Sequence, residues 1–195
     1  MKNKKLLIIP LLLLMTGLLF LVEQGGPLWQ SVSAGKFSDR LVIATIQGED
    51  FSIANPEKQS DLPDYLRDTR DIEEIKMSAI RQELLFREAC SHGFLVSDQK
   101  VDDYIAETRA AVSADPDFHA WFFEMLEAKG QSEDEYWEEM RPVYVKLLTG
   151  GIFYNQLEPE YWKTHQWTAT ESFFDGYYED VYMPELFEKY HVVLK

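Results

Sequence analysis

The chain reads as a mainly α protein. It should form a helical bundle closed by a small two-stranded β pairing between the two ends of its folded part, behind an N-terminal signal or anchor helix. Three observations predict this. Apolar residues recur at helical spacing, with clear start and stop signals, over most of residues 71–148. Outside that region, only Leu41–Ile46 and Val192–Leu194 are short β-branched runs. Leu6–Val22 is a 17-residue apolar stretch behind Lys2, Lys4 and Lys5.

That first stretch, residues 1–22, reads as a signal or membrane anchor and stands apart from the fold. Its length falls between a secretion-signal core and a full span. The lysines ahead of it place the N-terminus in the cytoplasm and the body outside. The small residues of "SVSA", ending at Ala34, offer a cleavage site, but Glu23–Ala34 puts twelve residues between it and the apolar run. A retained single-pass anchor in the cell membrane is therefore expected, with secretion after cleavage as the alternative. No cysteine stands just after the run to carry a lipid.

Residues 23–40, "EQGGPLWQSVSAGKFSDR", have the Gly, Pro and Ser content of a linker. The folded domain is expected over 41–195. It opens with the strand Leu41–Ile46 and a turn at Gln47-Gly48. Asn55 and Pro56 suit the start of a short helix over 55–59. Ile72, Ile75, Ala79, Ile80, Leu84, Phe86 and Ala89 then mark a helix over 71–90 with a broad apolar face. Gly93 suits the left-handed residue that ends it. Ser97 caps the next helix, which carries Val101, Ile105, Thr108 and Val112.

Asp115-Pro116 starts a third helix with its stripe at Phe118, Trp121, Phe122, Met125 and Leu126. Gly130 stops it. Ser132 and Glu135 form a capping box for a fourth helix, which Pro142 should bend near Glu138. Gly150-Gly151 reads as a helix stop. Pro159 and Pro184 should bracket one long aromatic helix, with Trp162, Ala169, Phe173 and Tyr177 on one face and Tyr161, Tyr178 and Tyr182 largely off it. Val192–Leu194 closes the chain as a strand paired with Leu41–Ile46.

The whole chain carries 19 basic and 34 acidic residues. The first 34 residues hold three Lys and one Glu, so the rest carries 16 against 33, a balance of −17. Nucleic acid is excluded as a natural partner, because phosphate binding needs the opposite sign. The acidity suits a domain kept in solution by its charge, with preference for basic clients or weak cation binding as the alternatives. Cys90 is the single cysteine, which rules out an internal disulfide. Its place at the end of an apolar helical run predicts a buried structural thiol.

The order of these signals carries a resemblance. Ala44, Thr45, Gly48 and Glu49 lead the series. Leu84, Leu85, Glu88, Ala89 and Gly93 follow, then Val96, Ser97, Asp98, Val101 and Ile105. Phe118, Leu126, Gly130, Ser132, Glu133 and Tyr136 complete it. Over roughly residues 41–150 this resembles the N-terminal chaperone domain of the SurA/PrsA-type extracytoplasmic foldases. Two departures stand out. Gln47 replaces the usual turn Asn, and Leu148–Lys195 is too short for the parvulin prolyl isomerase domain of those foldases. The resemblance implies a membrane-anchored chaperone whose partners are unfolded or exported polypeptides. A reduced prolyl isomerase and a non-enzymatic subunit devoted to one partner in a membrane complex are the alternatives.

No residue pattern points to catalysis. His92, His119, His165 and His191 are scattered without a paired spacing for zinc, so neither a metal nor another cofactor is expected. No nucleophile elbow, P-loop or dinucleotide fingerprint occurs. The carboxylates of "SEDEYWEE" are accounted for by the capping box and a solvated face. The aromatic residues offer the one binding signal. Trp121, Trp137, Tyr161, Tyr178 and Tyr182 are the expected client-binding rings, since amphipathic rings give large contact area at small entropy loss.

Overall fold

A computed structural model describes residues 40–55, 71–164 and 173–195. The expected anchor, nearly all of the linker, residues 56–59 of the expected short helix, and His165 and Ala169 lie outside the described residues.

Strand β1, Arg40–Ile46, and strand β2, Glu49–Ala54, form an antiparallel hairpin. Its two-residue turn has φ of 54° at Gln47 and 84° at Gly48. Positive φ at both positions matches the right-handed twist of the strands. Glycine tolerates it freely and Gln47 does not, so Gln47 is held from outside. Its N–H donates to Tyr190 O at 2.9 Å, and its Oε1 accepts from Arg87 Nη1 at 3.4 Å. A bulge between Val42 and Ala44 lets the consecutive residues Ile43 and Ala44 both face the core.

The predicted closure is present. Strand β3, Val193–Leu194, lies antiparallel to the other side of β1, with Ala44 opposite Leu194 and Thr45 opposite Val193. Lys195 N–H donates to Ile43 O at 3.0 Å. The sheet is three-stranded, in the order β2-β1-β3, and not the two-stranded pairing expected. "EDFSIA" escapes notice because Glu and Asp are depleted in strands, yet an edge strand suits charge.

Helix α1, Ile72–Ser91, begins at Asp71, whose side chain accepts from Glu73 N at 2.8 Å. It ends as predicted, with Gly93 at φ 79°. Phe94 N bonds Ala89 O and Gly93 N bonds Cys90 O, the paired bonds of a Schellman motif. Helix α2, Asp98–Ala114, is capped by Ser97. Helix α3, Pro116–Lys129, starts with Asp115 Oδ1 accepting from Phe118 N.

Helix α4, Glu133–Thr164, opens with the predicted capping box and runs for 32 residues. It passes through Gly150-Gly151 and Pro159, so neither ends nor starts a helix as expected. A Cβ at Gly150 would lie 3.5 Å from Leu85 Cδ2. Packing on α1 thus outweighs the roughly 1 kcal/mol helix penalty of a glycine.

After residue 172 the chain forms a π-helical segment, Phe173–Tyr182, then helix α5, Met183–Lys189. This replaces the single α-helix expected there. The wider turn brings positions five apart toward one face, and Phe173 and Tyr178 are accordingly both buried. The expected separation of their faces assumed α-helical spacing.

Two apolar clusters result. One joins the sheet, α1, the end of α4, the π-helical segment and α5. The other joins Val96, α2, α3 and the first half of α4. The α1–α2 joint lies where they meet. Val96 N donates to the buried Thr149 Oγ1 of α4 at 3.1 Å, and His92 and Phe94 both pack on Phe153 at 5.3 Å.

Candidate functional site

The five rings singled out in the sequence do not form one surface. Trp137 is 3% exposed. It lies among Phe122, Tyr136 and the Arg109 guanidinium, and its Nε1 donates to Glu133 Oε1 at 3.0 Å. Trp121 is half-buried beside Phe118. Both belong to the α2–α3–α4 cluster. Tyr161 and Tyr178, each 7% exposed, belong to the other. Tyr161 stacks on Tyr177 at 4.3 Å, and Tyr178 meets Tyr154 edge-on at 4.9 Å. Tyr182 is half-buried against Tyr177 and Tyr178. In this closed arrangement Trp137, Tyr161 and Tyr178 fill the interior. The large apolar area that marks such rings as binding groups also drives them into a core.

Of the five, Tyr178 lines a cavity of about 300 Å³ between β2, α1, α4 and the π-helical segment. Phe51 and Ile53 of β2 form one wall. Ala79 and Leu85 of α1 face Val143, Leu147, Gly150 and Gly151 of α4. Tyr154, Phe174 and Tyr178 close the far side, and Phe174 is 39% exposed. Among the described residues β2 is an edge strand, so the groove runs beside a strand that β1 pairs on one side only.

Charge sits around this apolar lining. Arg40 Nε donates to Ser52 Oγ at 2.8 Å and Nη2 to Ser52 O at 2.6 Å. Arg81 Nη2 meets Glu179 Oε2 at 2.7 Å, while its buried Nε has no hydrogen-bond partner among the described residues. Glu83 is buried and accepts from Arg87 Nε at 2.8 Å and Lys146 Nζ at 2.6 Å. Burial raises the Glu83 pKa, but hydrogen bonds and charge from Lys146 and Arg87 outweigh it and hold the carboxyl below its ordinary range.

Glu88, one turn and a half along α1, anchors the chain end. It accepts from Lys189 Nζ at 2.6 and 2.8 Å and from Tyr190 OH at 2.8 Å. His92 Nε2 lies 3.0 Å from its Oε1. Burial raises this carboxyl too, and the bonds from Lys189, Tyr190 and His92 again overcome it. Tyr190 is pushed up to about 12, by burial and then by its bond to Glu88.

Cys90 is exposed, not buried as expected. Its neighbour Ala89 takes the inward position on α1 and turns the thiol outward. Partial burial and then the negative field of Glu83 push its pKa up, the opposite of an activated thiolate. Among the described residues no group of three or more His, Cys, Asp or Glu is placed to hold a metal ion, and no helix is long and apolar enough to cross a membrane.

Sequence reasoning missed the groove residues Phe51, Arg81, Lys146 and Phe174. Four separate elements build the cavity, and one of them, β2, was not legible. An aromatic pair at Phe173-Phe174 was the available signal, since adjacent rings cannot both be buried on one helix face. No family model, curated protein or solved structure matches this chain.

Proposed function

We propose that this protein is a non-enzymatic, chaperone-like binder that holds extended apolar stretches of unfolded or exported polypeptides in the groove beside β2. The observation that carries the reading is an apolar groove open next to an edge strand. An edge strand presents unpaired backbone groups to an extended chain, and pockets beside it take alternate side chains. Phe51, Phe174 and Leu147 supply the apolar contact. The resemblance of residues 41–150 to SurA/PrsA-type chaperone domains supports the same reading. Membrane anchoring with the body outside the cytoplasm belongs to this proposal and rests on Lys2, Lys4 and Lys5 ahead of Leu6–Val22.

The test uses the full chain with several purified, unrelated, chemically unfolded proteins. Suppression of their aggregation is expected, together with photo-crosslinks from a probe at Phe174 and none from a probe at Phe123 on α3. Equal crosslinking from both positions, or no suppression, overturns the reading. Acceleration of prolyl isomerisation in a short peptide would replace it with an enzymatic one.

A further inference from the structure

We propose that the groove selects extended apolar segments that carry an Asp or Glu side chain, and that Arg81 reads the carboxylate. This deepens the polypeptide-binding reading and rests on it. The argument begins with charge. The chain as a whole has a net charge of −15. Among the described residues lining the groove, the cations Arg40, Arg81 and Lys146 outnumber the carboxylates Glu83 and Glu179. The groove is therefore a locally positive site on a strongly negative molecule, and basic segments gain nothing there that the rest of the surface does not offer.

The three cations are not equally engaged. Lys146 is held by buried Glu83, and Arg40 spends Nε and Nη2 on Ser52. Among the described residues, Arg81 gives Nη2 to Glu179 and its buried Nε meets no acceptor. Its side chain remains 41% exposed. A guanidinium carries five donors in a planar fork that matches a carboxylate. A carboxylate arriving in the groove meets a guanidinium that keeps donors on its exposed side beyond the one given to Glu179, while neighbouring apolar side chains of the same segment contact Phe51, Leu147 and Phe174. A charge-assisted bond favours Glu over an uncharged isostere of the same shape.

The experiment titrates the full chain against three short, fluorescently labelled, C-terminally amidated peptides. They are identical Val/Leu/Phe-rich segments with a central Glu, Gln or Lys. The Glu peptide is expected to bind about tenfold more tightly than the Gln peptide, with Lys weakest and the gap shrinking as salt rises. Arg81→Gln should abolish the Glu-over-Gln preference. If that variant fails to fold, Glu179→Gln serves instead: removing the competing carboxylate should widen the preference. Equal binding of the three peptides, preference surviving Arg81→Gln, or a preference narrowed by Glu179→Gln overturns the carboxylate proposal while leaving general polypeptide binding intact. Failure of all three peptides to bind overturns both.

Discussion

At the sheet end, Glu88 on α1 is bonded to Lys189 and Tyr190, partners 101 and 102 positions away in the chain. At the helical end, Trp137 bonds Glu133 one turn away and packs on Phe122 from the preceding helix. The first region is assembled from the two ends of the folded chain around two buried carboxylates. The second is assembled from consecutive helices around rings, with its described ion pairs at the surface. Chain closure and buried charge make the sheet end sensitive to conditions, because distant pieces must be brought together before any contact rewards the ordering. Helix α4 contributes to both, so the two ends share one long element.

Core truncation is the harshest way to test this division. Leu84 and Phe122 are both fully buried, one in each cluster. Leu84→Ala should cost about 2–5 kcal/mol and Phe122→Ala about 3–5 kcal/mol. Denaturant melts measure the totals, and amide exchange shows where the loss falls. Leu84→Ala should strip protection first from β1 and α5, and Phe122→Ala first from α2 and α3. Uniform loss in both variants would mean that α4 fuses the clusters into one unit.

Acid should separate the ends without any mutation. Glu83 and Glu88 have pKa values held below the ordinary 4.5 in the folded protein. A carboxyl lowered by folding contributes fully above its unfolded value, and that contribution is lost as pH falls through the folded value. Protection at the sheet end should therefore drop as pH falls below about 4.5. At the helical end Glu135 is lowered too, by its bonds to Ser132, but it is a fully exposed cap. Replacing Glu83 and Glu88 together by Gln should flatten the acid slope of the melt. An equal acid response at both ends would remove the distinction.

The same contrast governs what the sequence revealed. Helical punctuation is local, so Gly93, Ser97, Asp115, Gly130 and Ser132 could be placed from their neighbours alone. The closing strand was also legible, because only two β-branched runs remained to pair. What failed depended on distant packing. Gly150 reads as a stop until Leu85 is seen against it. The π-helical segment alters which rings share a face, and no sequence period announces it. Residue type points to Trp137, Tyr161 and Tyr178 as binding rings, yet burial decides their availability, and burial belongs to the assembled fold. The groove needed β2, whose acidic start hides a strand.

The bond between Val96 N and Thr149 Oγ1 joins the joint to the middle of α4, where the clusters meet. Thr149→Val keeps the shape and removes the acceptor, leaving a buried N–H unpaired. The expected cost is about 1–3 kcal/mol. Exchange at Val96 should quicken, and the core substitutions should become more additive with Thr149→Val than a coupled pair would allow. A neutral Thr149→Val would show that α4 alone links the two ends.

The smallest effects lie at the caps, and there the geometry ranks two serines that look alike in sequence. Ser132 is held in a reciprocal box: its Oγ accepts from Glu135 N at 3.3 Å, and Glu135 Oε2 accepts from Ser132 N at 2.8 Å. Ser97 has a single long bond, from Lys100 N at 3.4 Å. Either alanine should cost between about 0.5 and 2 kcal/mol, with Ser132→Ala nearer the top and Ser97→Ala nearer the bottom. The Ser132 loss should also depend on pH. Glu135 is lowered first by its bond from the Ser132 backbone and then by the hydroxyl, so acid that protonates Glu135 weakens the box and shrinks the cost of Ser132→Ala. Ser97 has no such partner, and its cost should stay level across the same range. Chemical denaturation of both variants at neutral and acidic pH measures the four values. If Ser97→Ala costs as much as Ser132→Ala, or if both costs fall together in acid, the helical end draws no special strength from its local box, and its contrast with the sheet end rests on the aromatic core alone.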